Sequence, residues 1–153
     1  DTRFDLCIIG HADNETERLM RHRAAQLGAT DRLTLTGRLP HDEAWSRAAG
    51  SSAGLSLLQP APAYRQAVAT KLWEYMAAGI PPIVSDLPGQ AAIVKQIHPD
   101  LVCSSPQAAA TIATRLKQDQ AFRESIVSAG IELVSQKWID LRPDLAIQGA
   151  IAP

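Results

Sequence analysis

The segment from Thr70 to Pro81 constrains the fold of this chain most, because it predicts one short helix that runs directly into a buried strand. Helical periodicity divides its side chains into two faces. One face carries Lys71, Glu74, Tyr75 and Ala78, and the opposite face carries Leu72, Trp73 and Met76. The first face is free to meet a ligand, whereas the second is apolar enough to join a core.

The ends of this helix are marked by residues with clear end preferences. Thr70 is the predicted N-cap, Gly79 is the predicted residue after the C-cap, and Pro81 prevents the helix from continuing. Glu74 then lies about one turn inside the helix N-terminus. Unpaired N–H groups and the helix dipole favour phosphate at such a terminus.

Short apolar runs alternate with helical stretches along the whole chain. Strands are predicted at 4–9, 33–36, 53–58, 82–85 and 101–103, and helices at 13–27, 42–49, 70–78, from Pro88, at 106–117 and at 120–136, the last one interrupted by Gly130. This alternation predicts an α/β, Rossmann-like, doubly wound parallel sheet with ligand chemistry at the carboxyl ends of its strands. The loop from Pro60 to Ala69, about ten residues long, exceeds a typical α/β connection and is a candidate functional loop.

The residues Glu-Tyr-Met-Ala-Ala-Gly-Ile-Pro at 74–81, with the strand and Pro-Gly turn at 83–89, resemble a signature of the GT-B fold. They are similar to the C-terminal, donor-binding domains of retaining glycosyltransferases, in particular glycosyltransferase family 4 (group 1). The resemblance covers about residues 4–138. The second glutamate of the family signature matches Glu74, but Gln66 stands eight positions earlier, where the family has a first glutamate.

The resemblance implies a role for the residues at the start of the helix. Glu74 would bind the ribose of a nucleotide-sugar, and the backbone amides of Ala69, Thr70 and Lys71 would lie near its diphosphate. The Lys71 ammonium could also neutralise a phosphate oxygen. The alternatives are a solvated Glu74 carboxylate paired with Lys71 three positions earlier, and an ordinary surface lysine.

Two residues of the loop before the helix are further candidates for contact with the donor. Gln66 would face the transferred sugar and is the one residue with a predicted, weak catalytic role, since its amide can donate and accept hydrogen bonds. Arg65 could pair with a phosphate through its guanidinium. Both could equally be loop residues that face water.

The function implied by the resemblance is transfer of a hexosyl unit from a UDP- or GDP-sugar to a sugar or lipid-linked acceptor, with retention of configuration. Such a mechanism uses the nucleotide-sugar as co-substrate and needs no cofactor or metal, and the chain has no Asp-x-Asp cluster to hold one. Because Gln66 replaces a glutamate, two rivals stay open. One is a non-catalytic nucleotide-sugar-binding or interaction module, and the other is a GT-B nucleotide-sugar epimerase.

The resemblance also bears on domain organisation. The chain begins at what matches the second strand of the donor-binding half, so its first strand and the acceptor-binding half have no counterpart here. We therefore expect residues 1–153 to be one nucleotide-sugar-binding domain, a fragment of a longer two-domain chain whose activity requires the N-terminal part.

Composition narrows the class of partners. The 153 residues are 46% hydrophobic with a net charge of −1, which suits a folded domain and gives no basic surface for nucleic acid. Cys7 and Cys103 lie in separate apolar runs and are predicted to be buried, reduced thiols, as in a cytoplasmic protein. Any association with the inner face of a membrane would need segments outside this chain, because no apolar run is long enough to span a bilayer.

Overall fold

A computed structural model of the chain describes the backbone of residues 3–141 and the side chains of residues 3–137. The described part of the chain divides into two compact units, with the division between Ala49 and Gly50. Each unit contains parallel strands connected by helices. The predicted α/β, Rossmann-like class is therefore confirmed.

The first unit is a βαβα segment. Its elements are β1 (Leu6–Ile8), α1 (Asn14–Gln26), β2 (Leu33–Leu35) and α2 (His41–Ala48). The strands pair in parallel, with Leu6 opposite Leu33. Asp13 caps α1, because its carboxylate accepts a hydrogen bond from the Thr16 backbone N–H at 2.8 Å. Gly28 follows the helix with φ of 60°, a left-handed conformation that glycine adopts without strain.

The two cysteines differ in their environments. Cys103 is buried, as predicted, and burial raises the pKa of its thiol. Cys7 is exposed, so the prediction of a buried thiol there was wrong. The physical reason is that β1 pairs with a single strand, and Ala24 is the one buried hydrophobic residue within residues 3–49. The apolar sequence around Cys7 was therefore not sufficient to predict that its side chain is buried.

The second unit contains a three-stranded parallel sheet with four helices. Its elements are β3 (Gly54–Ser56), α3 (Thr70–Ala77), β4 (Pro82–Ser85), α4 (Pro88–Val94), β5 (Val102–Cys103), α5 (Pro106–Gln118) and α6 (Gln120–Leu141). The strand order is β3-β4-β5, which places β4 in the centre. Ile83 and Val84 of β4 are fully buried, as expected of a central parallel strand.

One contiguous core holds the second unit together. Its buried members come from α3, β4, α4, the 3-10 helix Pro99–Leu101, β5, α5 and α6: Leu72, Met76, Ile83, Val84, Val94, Leu101, Cys103, Ala109, Leu116, Phe122 and Ile126. Phe122 is also contacted by the Arg115 guanidinium, which lies 3.6 Å from the ring centroid. The apolar face of α3 thus lies inside the core, which fixes the direction of its polar face.

The last helix does not break at the predicted position. It runs from Gln120 through Gly130 to Leu141, so Gly130 does not interrupt it. A Cβ added at Gly130 would lie 3.5 Å from the Met76 side chain, which is an ordinary contact. Packing against α3 stabilises this turn of α6 despite the low helix propensity of glycine.

Gly54 in β3 has a structural role that an alanine cannot fill. A Cβ at this position would lie 2.5 Å from the Tyr75 ring. We predict that Gly54→Ala lowers the free energy of unfolding by about 1–3 kcal/mol through overpacking. Gly130→Ala is the matched control, and it should be neutral or stabilising by up to about 1 kcal/mol. Urea denaturation measures the free energy of unfolding of both variants. Equal stabilities of the two variants would contradict the close packing of Tyr75 on β3.

Candidate functional site

The side chains of α3 separate into a buried and an exposed face. Leu72 is 0% exposed and Met76 is 1% exposed, whereas Lys71 and Glu74 face solvent. This confirms the predicted division. Tyr75 lies between the two faces and is half-buried, because its ring packs on Gly54. Core packing of Leu72 and Met76 thereby holds Lys71 and Glu74 on the outer side of the helix.

The N-terminus of α3 differs from its prediction by one residue. Ala69, with φ −68° and ψ 132°, has the extended conformation of an N-cap, and Thr70 is already the first helical residue. Thr70 is therefore not the N-cap, and no side chain caps this helix. Within the described residues, the N–H groups of Thr70 and Lys71 have no hydrogen-bond partner. The terminus presents free donors, as uncapped helix starts do.

The C-terminus of α3 is closed as the sequence predicts. Gly79 has φ of +68°, and its N–H donates to the Met76 carbonyl at 3.1 Å. The Ile80 N–H donates to the Tyr75 carbonyl at 2.8 Å, which completes a Schellman motif. The chain then enters β4 with Ile80 buried. This stop fixes the residue at which α3 ends and β4 follows.

The charged groups on α3 are not paired with each other. No salt bridge joins Lys71 to Glu74 in the part of the chain that the structure describes. Surrounding protein atoms desolvate the Lys71 ammonium and lower its pKa below the ordinary lysine value. Burial, and secondly the Glu74 charge, raises the pKa of the Tyr75 hydroxyl. Neither charge of α3 is thus paired with another charged group of the described residues.

The loop before α3 carries the other two predicted residues. Arg65 and Gln66 are both exposed and follow a short 3-10 helix at Pro62–Tyr64. The Gly89 N–H, at the start of α4, donates to the Arg65 carbonyl at 2.9 Å. A Cβ at Gly89 would lie 2.5 Å from the Gln66 carbonyl carbon, so only glycine fits against this backbone.

Arg65 faces a groove rather than the α3 terminus. The groove has a volume of about 620 Å³, and its lining residues are Pro60, Arg65, Asp86, Leu87, Pro88, Ala91, Ala92 and Lys95. Lys95 and Asp86 form an exposed ion pair there, at 3.7 Å. The structure thus groups Ala69, Thr70, Lys71 and Glu74 on α3, and it places Arg65 beside α4.

A buried polar cluster at the strand ends was not foreseen from sequence. Gln90 is 0% exposed, and its amide nitrogen donates to the Ser56 carbonyl at 3.0 Å and to the Ser85 hydroxyl at 2.7 Å. Its amide oxygen accepts from the Ser56 hydroxyl at 3.1 Å. The Ser85 hydroxyl in turn donates to the Leu58 carbonyl at 2.9 Å. The sequence feature that could have indicated this cluster is a glutamine on the otherwise apolar inner face of α4.

Comparison with known families identifies the family of the chain. The family model of the glycosyl transferases group 1 matches residues 1–133, which span the loop, α3, β4 and α4. The chain belongs to this family. A search of curated proteins found no match. The chain is thus a group 1 glycosyl transferase domain, and glycosyl transfer is the reaction class that its family supports.

Two further properties concern the described residues alone. Their side chains form no group of three or more His, Cys, Asp or Glu residues that could hold a metal ion. None of their helices is both long and apolar enough to cross a membrane.

Proposed function

We propose that the chain binds the UDP- or GDP-sugar donor of a retaining hexosyl transfer to a sugar or lipid-linked acceptor. The observation that carries the proposal is the arrangement of α3. Free N–H groups at Thr70 and Lys71 stand at its N-terminus, and the exposed Glu74 carboxylate lies one turn further on. N–H groups that can donate hydrogen bonds to an anion, and a carboxylate that can accept them from hydroxyl groups, therefore lie on the same helix.

The diphosphate would lie at the α3 N-terminus. The helix dipole and the free N–H groups of Thr70 and Lys71 favour negative charge there. The lowered pKa of Lys71 reflects lost solvation, and a phosphate oxygen beside the ammonium would offset that loss. As the bond between sugar and diphosphate breaks, the growing negative charge on the leaving group would be stabilised by the same groups. This step requires no divalent metal and no other cofactor.

The ribose would be bound by Glu74. An ionised carboxylate accepts hydrogen bonds only, and two ribose hydroxyls offer two donors. With no salt bridge to Lys71, the Glu74 carboxylate would need no rearrangement to receive them. Core packing of Leu72 and Met76 on the opposite face supports this orientation.

The sugar end of the donor would lie at Gln66. Its exposed amide is neutral, so it can read a sugar hydroxyl without placing a negative charge beside the anomeric carbon. The same substitution favours a second candidate function, a module that binds a nucleotide-sugar without transferring it. Arg65 lies in the groove beside α4, and a phosphate contact from it stays a prediction.

The role of Glu74 predicts a loss of nucleotide affinity on its substitution. In the full-length enzyme, Glu74→Gln should weaken binding of UDP or GDP by about 1.5–3 kcal/mol, the usual contribution of hydrogen bonds to a charged group. Calorimetric titration measures the affinity. Glu132→Gln, which neutralises another exposed helical carboxylate, is the matched control and should bind as the unmodified enzyme does. Equal affinities for all three proteins would leave Glu74 as a solvated carboxylate.

The role of Gln66 predicts a change in turnover rather than in nucleotide affinity. Gln66→Glu adds a negative charge at the proposed sugar end, where it acts on the transition state more than on bound nucleotide. We expect turnover or donor preference to change by about tenfold or more, while UDP or GDP affinity changes by less than about threefold. Steady-state kinetics measures turnover and donor preference, and calorimetry on the same samples measures nucleotide affinity. Unchanged rate and donor preference would remove Gln66 from the site.

A further inference from the structure

Both polar atoms of the Gln90 side-chain amide are hydrogen-bonded to the ends of two strands. Ser56 is the last residue of β3 and Ser85 is the last residue of β4, and both are bound by the one buried amide. No buried side-chain polar atom of the described residues lacks a partner. A fully satisfied buried network of this kind fixes one geometry, because any other arrangement leaves a buried donor or acceptor unpaired.

The network contacts the chain just before the candidate functional loop and again in the middle of the loop. Two residues before the loop begins, the Ser85 hydroxyl that accepts from Gln90 donates to the Leu58 carbonyl. In the middle of the loop, the Arg65 carbonyl accepts a hydrogen bond from the N–H of Gly89, the chain neighbour of Gln90. Pro88 has no N–H and no side chain caps α4, so the loop carbonyl takes the place of a cap.

Few other interactions hold the exposed middle of the loop in place. Its residues from Pro62 to Gln66 are all exposed, and its internal backbone bonds are those of short turns. The missing side chain of Gly89 also lets α4 approach the Gln66 carbonyl to a distance that no Cβ would permit. The segment 85–90 therefore holds the chain just before the loop and again at Arg65 and Gln66, and Gln90 holds that segment on the sheet.

We propose that Gln90 is a positioning residue, which sets the segment 58–67, and with it Gln66 of the candidate functional loop, relative to the ends of β3 and β4. It acts through the Ser85 hydroxyl and through Gly89, and it touches no substrate. The consequence for donor binding rests on the proposed function of the chain, whereas the consequence for the loop does not.

Gln90→Met tests the loop directly, because methionine keeps the approximate shape and removes every hydrogen bond. In the full-length protein, we expect backbone hydrogen exchange of residues 57–69 to accelerate about tenfold or more, with exchange in α5 unchanged. Gln96→Met is the matched control, since its exposed amide donates only to the Ala92 carbonyl. It should leave both segments unchanged. Ser85→Ala, a smaller change that cuts the bond to Leu58, should reproduce the local effect.

A kinetic measurement separates positioning from general stability. Gln90→Met should lower turnover at saturating donor by about tenfold or more, since small misplacements of reacting groups are costly. Its affinity for UDP or GDP should change by less than about threefold, because α3 keeps its own packing. Local acceleration of exchange with unchanged turnover would contradict a role in positioning the site.

The remaining outcomes are also decisive. If exchange accelerates equally in residues 57–69 and α5 for both Gln90→Met and Ser85→Ala, the network serves stability alone and the proposal is wrong. If neither variant alters exchange in the loop, the proposal is equally wrong. An unmodified protein that binds neither UDP nor GDP would defeat the proposed function, while the exchange experiment would still decide the role of Gln90.

Discussion

Burial of one face of α3 is the interaction on which the candidate site depends. Leu72 and Met76 are almost completely removed from solvent, and each such side chain contributes about 1.5–3 kcal/mol relative to an exposed position. Rotating the helix about its axis would expose them. Lys71 and Glu74 are therefore held on the outer face by apolar contacts in which they take no part. The Schellman motif at Gly79 fixes where the helix stops, and β4 begins directly behind it.

A second constraint acts at the carboxyl ends of β3 and β4, where α/β proteins place their ligands. Here the buried amide of Gln90 joins Ser56 to Ser85, and the Pro88-Gly89 turn lies against the loop backbone. Apolar packing sets the direction of α3, whereas hydrogen bonds set the course of the loop before it. Because apolar packing and hydrogen bonding are separate interactions here, a substitution can perturb one of them and leave the other intact.

Features that depend on neighbouring residues were predictable from sequence. The bounds of β4 follow from an apolar run between prolines and a polar turn. The cap of α5 follows from Ser105 before Pro106, and the Ser105 hydroxyl does accept the Ala108 N–H at 3.1 Å. The family signature around Glu74 was likewise local, and the match to group 1 glycosyl transferases confirmed it.

Features that depend on distant partners were not predictable in the same way. The side chains of Ser56 and Gln90 are hydrogen-bonded although they lie 34 positions apart in sequence, and hydrophobic periodicity does not predict such a pair. Cys7 lies in an apolar run, but its exposure depends on what covers β1. The cap of α3 fell on Ala69 because the path of the loop, rather than the preference of Thr70, decides where helical geometry begins.

The central claim is that the N-terminus of α3 receives a nucleotide diphosphate. The most direct measurement is the amide NMR spectrum of the full-length enzyme, labelled with ¹⁵N, during titration with UDP and GDP. We expect the amide signals of Thr70 and Lys71 to shift most strongly with one of these nucleotides, because their free N–H groups would acquire phosphate acceptors. Saturable binding that leaves both signals in place, or shifts only amides outside α3 and its preceding loop, would contradict it.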